Sequence, residues 1–208
     1  MKPESEDRNV FLEIIIVTFK RVNALRCLVA SFACQTDLGF VLRIIHDGAD
    51  FETQECFQEL RKIYPKLQLF YEHTEKHFND YGNSLRNLGL MQAVQEYCLL
   101  TNDDNYYVPV FVENVRKTIE REHPEIIYFD MVHNYTFPDL PNPIGYQTLL
   151  TEPRIYRIDI GSFVFRTELG KSIGFSHNGP TADGKFFEDI AARTSRISKI
   201  SKVLFVHN

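Results

Sequence analysis

The sequence has no surplus of positive charge. Its 23 Lys and Arg face 28 Asp and Glu, a net charge of −5 at pH 7 spread along 208 residues. That excludes the basic footprint on which nucleic-acid binding usually rests, so no nucleic-acid partner is expected. A phosphorylated ligand would need local help from a metal, a helix N-terminus or a few arginines. Long apolar runs are also lacking: the longest, such as "LEIIIV", are strand-sized, far short of a bilayer span. The opening "MKPESEDRNV" is polar and acidic, without the apolar core of a secretory signal. Residues 1–10 are therefore expected to form a flexible tail, and the protein to be cytoplasmic. None of the four cysteines, Cys27, Cys34, Cys56 and Cys98, belongs to a C-x-x-C pair. A chain of this size needs no disulfide staples. The seven-residue spacing of Cys27 and Cys34 suggests one buried helix face carrying reduced thiols. With no internal repeat, low-complexity tract or linker, residues 1–208 read as a single domain, since this length is short for two.

What is present is an ordinary globular composition, 44% hydrophobic and 25% charged, arranged as alternating strands and helices. "FLEIIIVTF" (11–19) is a continuous apolar run rich in β-branched residues, which predicts a buried strand. Leu25, Leu28, Val29 and Phe32 follow at helical spacing. "FVLRIIHDG" (40–48) and "LQLFY" (67–71) are further strands, separated by a helix over 53–63. A helix is expected from Asn83 to Tyr97, then a strand running into "LLTNDDNYYVP". Such alternation predicts an α/β fold with a mostly parallel sheet flanked by helices. In these folds ligands bind beyond the carboxyl ends of the strands, where "HDG" and "NDDN" fall. Later come a helix near 109–122, a strand at 125–130 and a proline-bearing loop or lid over 135–155. "IDIGSFVFR" (158–166) reads as a strand, and a final strand is expected in "SKVLFVHN".

Three acidic or imidazole features could carry chemistry. Asp103 and Asp104 are adjacent carboxylates that repel each other. One of them, or Asn105, could cap the helix after Pro109. Alternatively, the pair could hold a hard cation such as Mg²⁺ or Mn²⁺ together with substrate phosphates. His207, at the end of an apolar strand, could be a solvated tail or could deliver an imidazole nitrogen to the same crevice, a donor that suits Mn²⁺ better than Mg²⁺. Asp183 precedes a helical pattern and could be an N-cap or a general base. Glu188 and Asp189, further along, read as a solvated face.

Taken in order along the chain, these motifs resemble the family-2 glycosyltransferases of the GT-A fold. The carriers are "VTFKR" (17–21), "SFACQT" (31–36), "IIHDGA" (44–49), "GNSLRNLG" (82–89), "TNDDNYYVP", "DIGSFVFR", "ADGKFFED" and "VLFVHN". The resemblance implies a nucleotide-binding half over 11–108 and an acceptor half over 109–208. It implies that Asp47 accepts the uracil N3–H while Phe19 packs on the base, with Thr18 and Arg21 in the same nucleotide-facing turn. By the same resemblance Arg86 meets ribose or diphosphate oxygens and Asp103 holds the ribose side. Asp104 and His207 would hold Mn²⁺ or Mg²⁺, Asp183 would be the base, and Gly161 and Ser162 would lie against the acceptor. The tyrosines and phenylalanine of the 135–155 loop, Tyr135, Phe137 and Tyr146, could stack on sugar faces. Three positions depart from the pattern: Val17 for proline, Lys20 for asparagine and His46 for the first aspartate. Asn102 also replaces the leading acid of the longer metal motif.

The activity implied is metal-dependent transfer of a hexosyl or deoxyhexosyl group from a nucleotide sugar, a UDP-sugar by preference, to a hydroxyl of a glycan or glycoconjugate. A single base facing the anomeric carbon implies inversion. An acceptor on a membrane could make the protein peripheral there, and further domains of a longer chain are conceivable. A sugar-nucleotidyltransferase is the enzymatic alternative, but that class wants a glycine-rich basic loop after the first strand, and "TFKRVNA" has no glycine. A nucleotide-sugar-binding domain without turnover is the non-enzymatic alternative.

Overall fold

The first strand sets the architecture. In the computed structural model, which describes residues 9–134, 145–177, 179 and 181–208, β1 (Leu12–Thr18) is buried along its whole length. Alternate side chains of a strand point to opposite faces. Leu12, Ile14 and Ile16 therefore join one apolar cluster, and Ile15 and Val17 another. The first cluster is covered by α1 (Val22–Ala33), α2 (Phe51–Ile63) and α4 (Phe111–Glu122), the second by α3 (Asn83–Gln92), α5 (Thr167–Ile173) and α6 (Ala182–Ala191). Leu25, Leu28, Val29 and Phe32 are all fully buried, as their helical spacing predicts.

The strands complete one mixed sheet. β2 (Phe40–His46), β3 (Leu69–His73) and β4 (Tyr97–Asn102) run parallel to β1 in the order β3-β2-β1-β4. Beyond β4 the direction reverses, because β8 (Phe163–Arg166) pairs antiparallel with both β4 and β6 (Ile126–Asn134). β9 (Ile197–His207) lies parallel to β6, with register shifts around Asp130. The short β5 (Tyr106–Tyr107) and β7 (Tyr146–Leu149) join β9 and β6. The β3-β2-β1-β4 part of the sheet is thus wholly parallel and the remainder mixed.

Several expectations need correction. The third helix ends at Gln92, not Tyr97. The buried Glu13 carboxylate accepts from the backbone N–H groups of Val94 (2.8 Å) and Gln95 (3.4 Å), drawing the chain into a turn. Arg43 Nε, 2.8 Å from the same carboxylate, supplies its counter-charge. Residues 158–166 are not a continuous strand: Ile160–Ser162 is a 3-10 turn, and β8 starts only at Phe163. Cys27 and Cys34 are exposed, whereas Cys56 and Cys98 are buried. The expected 135–155 loop contains β7, while Tyr135, Phe137 and most of the N-terminal tail lie outside the described residues. No helix among the described residues is long and apolar enough to cross a membrane.

Candidate active site

The C-terminal ends of β1, β2 and β4 bring Thr18, Asp47 and Asn102 to one edge, and a cleft of about 770 Å³ opens there. Thr18, Phe19, Arg21 and Asp47 line it on the β1–β2 side. Arg86, Asp104, Asp183 and His207 line it as well, arriving from α3, the turn after β4, α6 and β9. Asp103, Gly161 and Ser162 do not.

The aspartate pair caps nothing. The helix that follows has Val110 at its N-cap, with no side-chain hydrogen bond. Asp103 and Asp104 instead form the turn between β4 and β5, and Arg21 answers their repulsion by ion-pairing with both. Asp103 is fully enclosed: Thr18 Oγ1 donates to it over 2.6 Å and Arg21 Nη2 lies 2.5 Å away. Burial pushes its carboxyl up to about 6, against the lowering effect of Thr18 and Arg21. Asp103, expected on the ribose side, is thus enclosed and does not line the cleft, with Oδ2 held by Thr18 and Oδ1 facing Arg21. Thr18 likewise spends its hydroxyl on Asp103, not on the cleft. Two residues just after α1 hold the turn in place. Gln35, buried after that helix, donates to Val108 O (2.9 Å) and accepts from Val112 N (3.1 Å), and Thr36 N donates to Pro109 O (2.9 Å).

His207 lies across the cleft from β1, its ring stacked on His133 with centroids 4.4 Å apart. Its Nε2 is 3.4 Å from Asp159 Oδ2, and its buried Nδ1 has no hydrogen-bond partner among the described residues. Asn208 Nδ2 donates to Asp104 O over 2.7 Å, tying the end of β9 to the aspartate turn. Asp104, a quarter exposed, bonds Arg21 and otherwise faces the cleft. One carboxylate and one imidazole with an orphaned nitrogen fit a divalent cation that completes its shell with phosphate and water oxygens. No group of three or more His, Cys, Asp or Glu able to enclose a metal occurs among the described residues.

Asp183 occupies the first turn of α6 but is not its cap; Thr181 holds that position. Its carboxylate accepts from the Ile160 backbone N–H and is pushed up to about 6. Burial is the main cause, Asp159 adds to it, and Arg86 and His207 oppose it. Arg86 is buried with no carboxylate bonded to it among the described residues: Nη1 donates to Tyr81 O and Asn83 Oδ1, both at 3.0 Å, and Nη2 to Asn102 Oδ1 at 2.5 Å. Burial lowers its pKa, while Asp183 and Asp159 act the other way. Asn102, placed where the resemblance leads one to expect an acid, gives that guanidinium a neutral acceptor beside the cleft in place of a counter-charge.

Gly161 and Ser162, expected against the acceptor, are fully buried. The Ser162 hydroxyl donates to Asp159 O and accepts from Asp159 N, and Gly161 N donates to Asp159 Oδ1 over 2.8 Å. They position Asp159, a carboxylate that sequence reading missed because "DIGS" looked like strand. The one available signal was an Asp two residues before a glycine and three before a serine, the pattern of a capped turn. Of the other departures, His46 is a clamp: Nδ1 sits 2.7 Å from Gly48 O, and Lys20 N donates to Nε2 over 3.0 Å. Asp47 accepts from the backbone N–H groups of Phe78 (2.8 Å) and Asn79 (3.1 Å). His77, also missed, stacks on Phe19 with ring centroids 4.3 Å apart. Glu188 and Asp189 point away from this chemistry, bonding Ile155 N and His177.

Comparison with known proteins places this architecture. Residues 13–173 match the model of glycosyl transferase family 2, which leaves Asp183 and His207 beyond the matched segment. A curated relative, YwdF of Bacillus subtilis (strain 168), described as an uncharacterized glycosyltransferase, is 25% identical over 170 residues, 79% of this chain and 61% of that one. Among solved structures, S. aureus TarS 1–349 superposes with a TM-score of 0.77 at 20% identity, over 96% of this chain and 60% of that one. The same TarS 1–349 in complex with UDP-GlcNAc gives a TM-score of 0.76 at 21% identity, over 95% and 58%. The mannosyltransferase PcManGT from Pyrobaculum calidifontis, in complex with GDP-Man and Mn²⁺, gives 0.72 at 15%, over 94% and 56%. The chain therefore spans about three-fifths of the length of these relatives. With the family model covering most of its length and the GT-A architecture shared with these structures, the chain belongs to glycosyl transferase family 2.

Proposed function

We propose that this chain transfers a hexosyl or deoxyhexosyl group from a nucleoside-diphosphate sugar, a UDP-sugar by preference, to a hydroxyl of a glycan or glycoconjugate. The observation that carries the reading is the convergence of Asp104, His207, Arg86 and Asp183 on one cleft from four separate elements. In this reading Phe19 and Asp47 take the base, and the Arg86 guanidinium takes diphosphate oxygens. Asp104 and His207 would hold Mn²⁺ or Mg²⁺, whose contribution is to neutralise charge developing on the departing diphosphate. Asp183 accepts the proton of the attacking hydroxyl. Its raised pKa, about 6, makes it a stronger base than an ordinary carboxylate while leaving it ionised at neutral pH. A single such base on one side of the cleft implies direct displacement with inversion. The acceptor enters from the side of Tyr146, which is exposed and bonds Asn208.

The glycine-free turn after β1 speaks against a sugar-nucleotidyltransferase, and a polarised carboxyl at Asp183 speaks against a mere binding domain. Calorimetry with a UDP-sugar and Mn²⁺ tests the donor half. Asp104→Ala and His207→Ala should each lose the metal-dependent part of the affinity. Metal-dependent affinity unchanged in both variants refutes the assignment.

A further inference from the structure

The loop between β3 and α3 carries a side chain that satisfies the nucleobase slot from within. His77 lies against Phe19 almost parallel to it, with an interplanar angle of 14° and centroids 4.3 Å apart. Its Nδ1 lies 2.7 Å from Asp47 Oδ2. Among the described residues, the Asp47 carboxylate is otherwise occupied only by the backbone N–H groups of Phe78 and Asn79, from the same loop. A flat heteroaromatic ring on Phe19 that points an N–H at Asp47 is also the arrangement by which a uracil would be held there. One face and one acceptor are all those two residues offer to a ring, so His77 and a base cannot use them together.

We propose that His77 is a built-in competitor for the nucleobase, and that a nucleotide binds only after the 75–79 segment has swung its imidazole off Phe19 and Asp47. This rests on the reading of Phe19 and Asp47 as the base site. The segment can move without unravelling the fold. His77 is 41% exposed at its side chain, and Phe78 is also exposed. The hinge points are anchored separately: Thr74 Oγ1 accepts from Gly48 N (2.7 Å), and Asp80 accepts from Ser84 N (2.9 Å). The competition is thermodynamic. If the closed arrangement dominates, apparent affinity for any ligand that needs the slot falls by the fraction of chain in the open one. Ligands that bind only through phosphate escape the penalty, because His77 bonds Asp47 and stacks on Phe19 while Arg86 and Asp104 are held by other partners.

The test compares wild type, His77→Ala and His77→Phe in binding UDP and inorganic pyrophosphate, each with Mn²⁺. His77→Ala should bind UDP on the order of 10-fold more tightly, the size expected when a closed state about ten times as populated as the open one is removed. His77→Phe keeps the stack but loses the donor, so its gain should be smaller. Pyrophosphate affinity should be the same in all three. UDP binding that is unchanged or weaker in His77→Ala overturns the proposal while leaving the base site standing. Equal gains for UDP and pyrophosphate also overturn it, since the effect would not then concern the base. Failure of UDP to bind any of the three overturns both this proposal and the donor reading beneath it.

Discussion

Replacing Asp183 by asparagine should slow turnover steeply and make the protein more stable, and the two effects share one cause. The carboxyl sits at about 6 instead of its ordinary 3.8 because it is buried beside Asp159. An ionised carboxylate raised by about 2 units weighs against the folded state by about 3 kcal/mol, part of it shared with Asp159. Asparagine keeps the oxygen that accepts from Ile160 N–H but carries no charge. The sign follows from proton uptake. Below about pH 3.8 the carboxyl is protonated in both the folded and unfolded chain, so it contributes nothing. Between there and about pH 6 the folded chain binds more protons, so stability falls as pH rises, and above about 6 the full penalty applies. The variant should therefore match wild type near pH 4 and exceed it by about 1–3 kcal/mol at pH 7.5. For a chain of this size that is about 2–4 °C in Tm per kcal/mol. Transfer at pH 7.5, assayed as nucleoside-diphosphate release with a working donor and acceptor, should drop on the order of 100- to 10,000-fold. Near-native transfer refutes the base assignment. Loss of transfer with no pH-dependent gain in stability refutes the electrostatic account of the raised pKa.

Two further outcomes follow from the site's construction. UDP should compete for donor binding more strongly than CDP, because the unprotonated N3 of cytosine has no hydrogen to give Asp47 where uracil has its N3–H; equal inhibition by both would remove that role. Gly161→Ala should lower stability by about 1–3 kcal/mol in urea titration. A Cβ there would come within 2.6 Å of the Phe205 ring and 2.9 Å of the Tyr107 hydroxyl, and an unchanged midpoint would show that the packing yields freely.

Much of the parallel half could be read directly, because β1, β2 and β4 are buried on both faces and their residues are apolar for that reason alone. The aspartate turn was legible for a related reason: two acids directly after a buried strand need an explanation, and the strand's direction says where they emerge. What escaped was whatever depends on contacts between distant segments. Asp103 and Asp104 are alike in sequence, yet one is enclosed by Thr18 and Arg21 and the other faces the cleft. His77 is one polar residue in a polar loop, and nothing local announces that Phe19, nearly sixty positions earlier, lies beneath it. Gly161 and Ser162 are expected against the acceptor, and nothing local announces that they are buried with their hydrogen bonds going to Asp159. The length of α3 was misjudged because its stop is a buried glutamate on another strand.

The Tyr107 hydroxyl donates to Thr101 Oγ1 at 3.0 Å and to Gly161 O at 2.9 Å, deep in the interior, alternative acceptors for one proton. Thr101 precedes the aspartate turn, and Gly161 follows Ile160, whose N–H reaches Asp183. A single phenol thus gauges the spacing between the group that would release the nucleotide and the group that would activate the acceptor. A change at Tyr107 would therefore reach both sides of the cleft at once, through Thr101 and through Gly161, whereas a change at exposed Tyr146 would act on one side alone.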